Sequence, residues 1–234
     1  MGAAKVSRML AHFNTHPEDK VLFSNAKLIN DAGEELKGCL WTVNRFTAES
    51  RSFAGCREDL FRYLLRHERM VTGATLAISK DFVAQLLPFR MMNRMWHDAW
   101  IAFAAASHGA LNYVDEQLIC YRIHASQQVG CNGAKLERMQ SGEDMISPVM
   151  RRELRSALTH DDLVALVHTR RKRVKQCRRL GRFLPINPSI TAELRTEQYH
   201  AETAFAHQFS FWRRWKETPE VKMFNKWPQA AKAL

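Results

Sequence analysis

The chain lacks any apolar run able to cross a bilayer; its longest, such as Trp100 to Ala106, fall far short of a membrane span, which takes about 20 residues. It also lacks a basic N-terminal stretch followed by an apolar core, so no secretory signal is read. The five cysteines (Cys39, Cys56, Cys120, Cys131, Cys177) are odd in number and scattered, and no pair has zinc-knuckle or redox spacing. That excludes a disulfide framework and fits reduced thiols in a cytosolic compartment. There is no Gly-rich phosphate loop, no internal repeat and no recognised nucleic-acid motif. The expected location is the cytoplasm, peripheral at most to the inner face of the cell membrane.

What is present is an ordinary globular composition, 46% hydrophobic and 25% charged, over 234 residues. That length suits one domain, or one domain with a substantial appendage. The net charge of +11 is concentrated: Arg151 to Arg182 holds 11 Lys+Arg against 3 Asp+Glu, while the remainder holds 24 against 21. A basic segment on a nearly neutral body points to an anionic partner for that segment alone.

The patterning divides the chain near Gly130 to Gly133 into an α/β body and a helical, basic tail. Val6, Met9, Leu10 and Phe13 have the spacing of an amphipathic helix over Lys5 to Phe13. Val21-Leu22-Phe23 and Ala26 to Ile29 read as extended, followed by a turn at Asp31-Ala32-Gly33. Trp41 to Gly55 shows no period and reads as a loop. Leu60, Phe61, Leu64 and Leu65 mark a second helix, and Val71 to Ile78 reads as a strand. Lys80 to Leu87 is a short helix stopped by Pro88. His97 to Ser107 is a helix closed by Gly109. Leu111 to Val114 and Leu118 to Ile123 read as two short strands. In the tail, Leu154, Leu158, Leu163, Val167, Val174 and Cys177 recur at helical spacing, and after Pro185 to Pro188 a further helix carries Phe205, Phe209 and Trp212.

Four segments carry a resemblance when taken in this order. Val21-Leu22-Phe23-Ser24-Asn25-Ala26 runs into Asn30-Asp31-Ala32-Gly33-Glu34. Val71-Thr72-Gly73-Ala74-Thr75, Trp96-His97-Asp98-Ala99-Trp100 and Tyr121-Arg122-Ile123-His124 follow. Together they resemble the acceptor-side half of a family 2 glycosyltransferase, over roughly residues 4 to 130, about 1–130 being the domain and 131–234 the basic helical region. The resemblance implies a GT-A fold, here as a partial α/β sheet with flanking helices, and inverting transfer of a sugar from a nucleotide-sugar donor to a hydroxyl of a glycan or lipid-linked acceptor. It implies surface-glycan or polysaccharide synthesis, and a divalent cation, Mg2+ or Mn2+, on the leaving diphosphate. Family members carry about a hundred residues before the point matching Lys5. The donor cradle and the main acidic metal ligands are therefore expected upstream of Met1, and residues 1–234 alone are expected to transfer little sugar. Ser24-Asn25-Ala26 departs from the family's Ser-Asp-Ala by one carboxylate.

By the resemblance, Asp98 is the catalytic base that takes the proton of the attacking hydroxyl. It lies at the start of a predicted helix, where the macrodipole favours its ionised form; the residues alone read more readily as an N-terminal cap, and it is the resemblance that favours the base. His97 would orient Asp98 or contact the sugar, although neighbours along a helix do not face one another. Trp96 and Trp100 offer an apolar platform for a sugar face, or a core and lid role. Thr72, Thr75 and Gly73 would line the acceptor, Gly73 by allowing close backbone approach or merely by interrupting a strand. Arg122 and His124 would face the diphosphate, His124 also as a metal ligand; a surface strand shows the same alternation. His12 and His16 have the spacing of a two-histidine metal site, but without a third ligand they read as a solvated helix face.

In the tail, Arg170 to Arg182 holds eight basic residues. Phe205, Phe209, Phe211, Trp212 and Trp215 lie beside Arg213, Arg214 and Lys216. Basic helices with aromatics suit a bilayer interface. The alternative to a transferase is a non-catalytic basic module for nucleic acid or an anionic membrane surface, with nucleic acid the weaker of those two.

Overall fold

The computed structural model describes residues 3–46, 51, 57–67, 70–89, 95–124 and 159–217. It is an α/β structure whose chain separates into two compact units, Met1–Ile146 with Leu180–Asn187, and Ser147–Arg179 with Pro188–Leu234. The sequence boundary near residue 130 lies outside the described residues, as do Cys56, Cys131, Leu154 and Leu158.

In the first unit, α1 (Ala3–Thr15) leads into β1 (Val21–Ile29), the centre of a mixed four-stranded sheet. On one side β1 pairs in parallel with β4 (Leu111–Arg122) along its whole length. On the other it is met antiparallel by β3 (Leu76–Ile78) at its first half and by β2 (Glu35–Cys39) at its second. A strand enclosed on both edges and both faces should be apolar, and Val21, Leu22, Phe23, Ala26 and Leu28 are all fully buried. Glu35 to Cys39 has no apolar alternation to predict a strand; the Asn30–Gly33 turn, with Gly33 at φ +88°, folds it back onto β1.

The two short strands expected at 111–114 and 118–123 form one strand with an irregular ladder. Register shifts fall opposite Ser24, Asn25 and Ala26, where β4 carries extra residues between Val114 and Ile119. The polar residues that suggested a break are therefore the bulge. Its carboxylates are paired, Asp115 with Arg51 at 3.3 Å and Glu116 with Arg8 at 3.4 Å. Buried Asn25 faces the irregularity; its Oδ1 accepts the N–H groups of Ala26 at 2.8 Å and Trp41 at 3.1 Å.

Trp41, expected in a loop, is buried within a one-turn helix, α2 (Leu40–Val43). Its ring packs with Phe23, Phe46 and Tyr113 at centroid separations of 5.0–5.9 Å, and its indole N–H donates to the Ser24 carbonyl at 3.1 Å. The helices α3 (Arg57–Arg66) and α5 (His97–Ser107) meet through Phe61 and Phe103, 5.5 Å apart edge-to-face. Ile101 to Ala106 is buried throughout, and its small alanines let α5 sit close to its neighbours. As expected, α5 ends at Gly109, φ +64°: Gly109 N–H donates to Ala106 and Ala110 N–H to Ala105, the paired bonds of a glycine C-cap.

Two local expectations are corrected. Only Leu76–Ile78 of the stretch Val71 to Ile78 is strand; Gly73–Thr75 forms a 3-10 turn closed by Thr75 donating to Thr72. On α1 the buried stripe is Lys5 and Met9 with half-buried His12 and Phe13, while Val6 and Leu10 are exposed. Lys5 goes inside because its ammonium donates to the carbonyls of Ala74 at 2.8 Å and Leu76 at 3.1 Å. A buried charge is tolerable when such bonds replace its water.

In the second unit, α6 (His160–Leu180) and α7 (Pro188–Glu217) form a helical pair. Thr159 and Asp162 make a reciprocal capping box at the start of α6. Arg170 pairs with Glu197, Arg171 with Glu202 at 2.6 Å, and Cys177 Sγ meets Thr191 Oγ1 at 3.6 Å, so the helices run antiparallel. No helix among the described residues is long and apolar enough to cross a membrane.

A candidate active site at the start of α5

The turn at Gly73 and the start of α5 are 25 residues apart in sequence and meet in space. The Gly73 N–H donates to Asp98 Oδ2 at 3.2 Å, and Asp98 Oδ1 accepts the N–H of Ala99 at 2.8 Å. Asp98 is not the helix cap: that position is Trp96, which makes no side-chain capping bond. The carboxylate lies in the first turn, half-buried, and reaches across to another element. A Cβ added to Gly73 would lie 3.1 Å from His97 Nε2 and 3.6 Å from Asp98 Cβ. Neighbours along a helix do not face each other, but here both side chains flank one glycine, which has no side chain to hold them off. Gly73 has no unusual φ; close approach is what requires glycine there.

The turn is held from two other sides. Thr72 Oγ1 accepts from Asn44 Nδ2 at 3.1 Å, just past the end of α2. Lys5 anchors the carbonyls of Ala74 and Leu76, which follow Gly73. Burial lowers the pKa of the Lys5 ammonium from its ordinary value. Neither Lys5 nor Asn44 was singled out from sequence. A lysine in register with Met9 on the buried stripe of α1 was the available signal for the first; nothing local marked the second.

Not all the expected residues gather here. Trp100 is buried, with its indole N–H on the Leu86 carbonyl at 2.9 Å, so it supports the site from beneath. Trp96 is 53% exposed beside Asp98. Arg122 pairs with Ile29, at the far end of β1 from Phe23, which pairs with Leu76. Its Nη1 donates to the carbonyls of Asn30 at 2.8 Å and Asp31 at 2.5 Å, clasping the β1–β2 turn. His124 follows, half-buried, just beyond the strand end. Among the described residues no three His, Cys, Asp or Glu side chains gather as metal ligands. One imidazole does not hold a hard cation that wants several oxygens, so the described residues do not fit Mg2+ or Mn2+. His12 is stacked on His16 at 4.5 Å and hydrogen-bonds buried Asp19 at 2.7 Å.

Chemically, the turn and helix present a carboxylate fixed by two backbone donors at a helix N-terminus, with an exposed imidazole alongside. Such a carboxylate retains acceptor capacity for an incoming hydroxyl. Compared with models of known protein families, with curated proteins and with solved structures, the chain matches none.

Proposed function

We propose that the first unit is the acceptor side of a family 2 glycosyltransferase of GT-A fold, with Asp98 as the base for inverting transfer to an acceptor hydroxyl. The observation that carries this reading is the hydrogen bond between Gly73 and Asp98. It joins two segments singled out separately by resemblance, in the arrangement general-base catalysis needs: a positioned carboxylate beside a gap that a side chain would fill. His97 and Thr72 border the same place. Arg122 is engaged with the β1–β2 turn, and its part in holding a diphosphate has no support beyond the motif. The buried oxygen of Asn25 acts as a backbone acceptor, a task that needs no charge, so the missing carboxylate there does not weigh against the reading.

The test is chemical-shift mapping of residues 1–234 with glycan acceptors, alongside turnover on a nucleotide-sugar panel. Acceptors should shift the amides of Gly73 and Ala99, and Asp98→Asn should lower whatever turnover is seen by about 10²–10⁴-fold. Shifts confined to the second unit, or turnover indifferent to Asp98→Asn, would sink the assignment.

A second reading concerns the second unit. His168, Arg171, Lys172, Lys175 and Arg178 are all exposed and recur at helical spacing along α6, opposite buried Leu163, Leu166, Val167, Val174 and Cys177. This stripe favours peripheral contact with an anionic membrane surface. Phe209, Phe211, Trp212 and Trp215 lie on α7, but their side chains fall outside the described set. Binding to anionic vesicles that falls steeply with salt supports it; preference for oligonucleotides over vesicles supports the nucleic-acid alternative instead.

A further inference from the structure

The bond between Gly73 and Asp98 is the last link of a longer series. The Lys5 ammonium, buried on α1, donates to the Ala74 carbonyl at 2.8 Å. The same peptide group presents the Thr75 N–H, which donates to the Thr72 carbonyl at 2.9 Å. That second peptide group presents the Gly73 N–H, which donates to Asp98 Oδ2 at 3.2 Å. Two peptide groups thus stand head to tail between an ammonium and a carboxylate. Each is oriented as its ends require, carbonyl oxygen toward the cation and N–H toward the anion. Hydrogen bonds in series polarise one another, and those that end on a charged group are the stronger ones.

The series is also fixed from its sides. Thr75 is buried, and its hydroxyl adds a second donor to the Thr72 carbonyl at 2.7 Å. The Leu76 carbonyl, at 3.1 Å, gives Lys5 Nζ a second acceptor and holds the ammonium over the turn. At the other end Asp98 rides on α5, whose first turn is set by the Trp100 indole on the last carbonyl of α4 (Val83–Leu86). Met9, one turn along the same buried stripe, shows that packing alone asks for an apolar residue where Lys5 stands. We propose that Lys5 is a positioning residue of the candidate site: through the Ala74–Thr75 and Thr72–Gly73 peptide groups it aims the Gly73 N–H at Asp98 and fixes the carboxylate. The coupling stands on the hydrogen bonds themselves. Only its service to proton transfer from an acceptor hydroxyl rests on the transferase reading.

The experiment is a double-mutant cycle on the full chain, with unfolding constants measured in urea for wild type, Lys5→Met, Asp98→Asn and the pair. Joined ends make the combined loss fall short of the product of the single losses by about fivefold, against the twofold or so seen between independent sites. Met9→Ala, on the same stripe but outside the series, should combine with Asp98→Asn within about twofold. Amide spectra give the second readout. Lys5→Met should move the Gly73 amide proton upfield, as Asp98→Asn does. The Ala99 amide, which meets Asp98 Oδ1 outside the series, should stay in place in Lys5→Met. Thr75→Val, which deletes only the hydroxyl bond to the Thr72 carbonyl, should give the same pattern to a smaller degree. A coupling within about twofold, the same coupling for Met9→Ala, or a Gly73 amide that Lys5→Met leaves unmoved each overturns the proposal. So does an equal shift at Ala99, which would mean that the ammonium acts through space. No readout uses an acceptor or turnover, so failure of Asp98 as a base leaves the coupling standing, and absence of coupling leaves the base reading untouched.

Discussion

The two units are built by different physics. In the first, a central strand is enclosed on both edges and its apolar side chains are fully buried, with Phe23, Trp41, Phe46 and Tyr113 interlocked beside it. In the second, the two helices bury Leu163, Leu166, Val167, Val174, Ile190 and Leu194 and are joined by ion pairs to Arg170 and Arg171. The buried side chains of the first unit are held mainly by apolar packing and backbone hydrogen bonds. The second leans on charge pairs that salt and acid reach. The candidate base sits on the unit packed by apolar side chains, and the basic stripe on the unit whose helices are joined by ion pairs.

The largest break in this contrast should come from Phe23→Ala. Removing the ring at the centre of the aromatic cluster should cost about 3–5 kcal/mol. Urea unfolding followed by near-UV circular dichroism checks it, and a loss below about 1 kcal/mol would mean that the cluster is not what stabilises the body. Lys5→Met comes next. It strips the carbonyls of Ala74 and Leu76 of a charged donor, with an expected loss of about 1–3 kcal/mol. Because Lys5 holds the turn that carries Gly73, hydrogen exchange at the Gly73 amide should accelerate more than at Leu22.

For the second unit the sharper probe is pH. The hydrogen bond from Arg171, and after it the one from Gln198, hold Glu202 below the ordinary carboxylate range. A carboxylate with a depressed folded pKa contributes stability above its unfolded value, near 4.3, and loses it as pH falls through the lower folded value. Helix content at 222 nm should therefore decline in acid, and Glu202→Gln should flatten that decline. High salt should weaken the same pair. The smallest effect is expected from Gly73→Ala. The new methyl group must displace the His97 ring by a few tenths of an ångström, and since that ring is exposed the stability change should stay under about 1 kcal/mol. The His97 resonances should move all the same; if they do not, the close contact is absent in solution.

Much of this architecture was legible beforehand. The helix over His97 to Ser107, its glycine C-cap, the helices near Leu60 and in the tail, and the extended segments of β1 and β4 follow from periodicity and breakers, which are local. The errors share one cause. Of the stripe expected on α1, Met9 and Phe13 face inward but Val6 and Leu10 do not, because the carbonyls of Ala74 and Leu76 draw Lys5 inside. Trp41 was read as loop because one helical turn is too short to show a period, while its burial depends on Phe23, Phe46 and Tyr113. Glu35 to Cys39 became a strand because β1 offered it a free edge.

The site divides in the same way. Asp98 and Gly73 were legible as separate motifs, each with a bland alternative that no local pattern could remove. What the residues alone determined was the order of elements, the neutral body and the basic helix. Tertiary contact decided that one carboxylate in a helix's first turn meets a glycine amide of another element, that Trp100 supports from beneath while Trp96 stays outside, and that Arg122 clasps a turn. The reason is physical: periodicity reports which face of an element is apolar, whereas a hydrogen bond between residues 25 apart exists only once packing has brought two backbones within reach of one side chain.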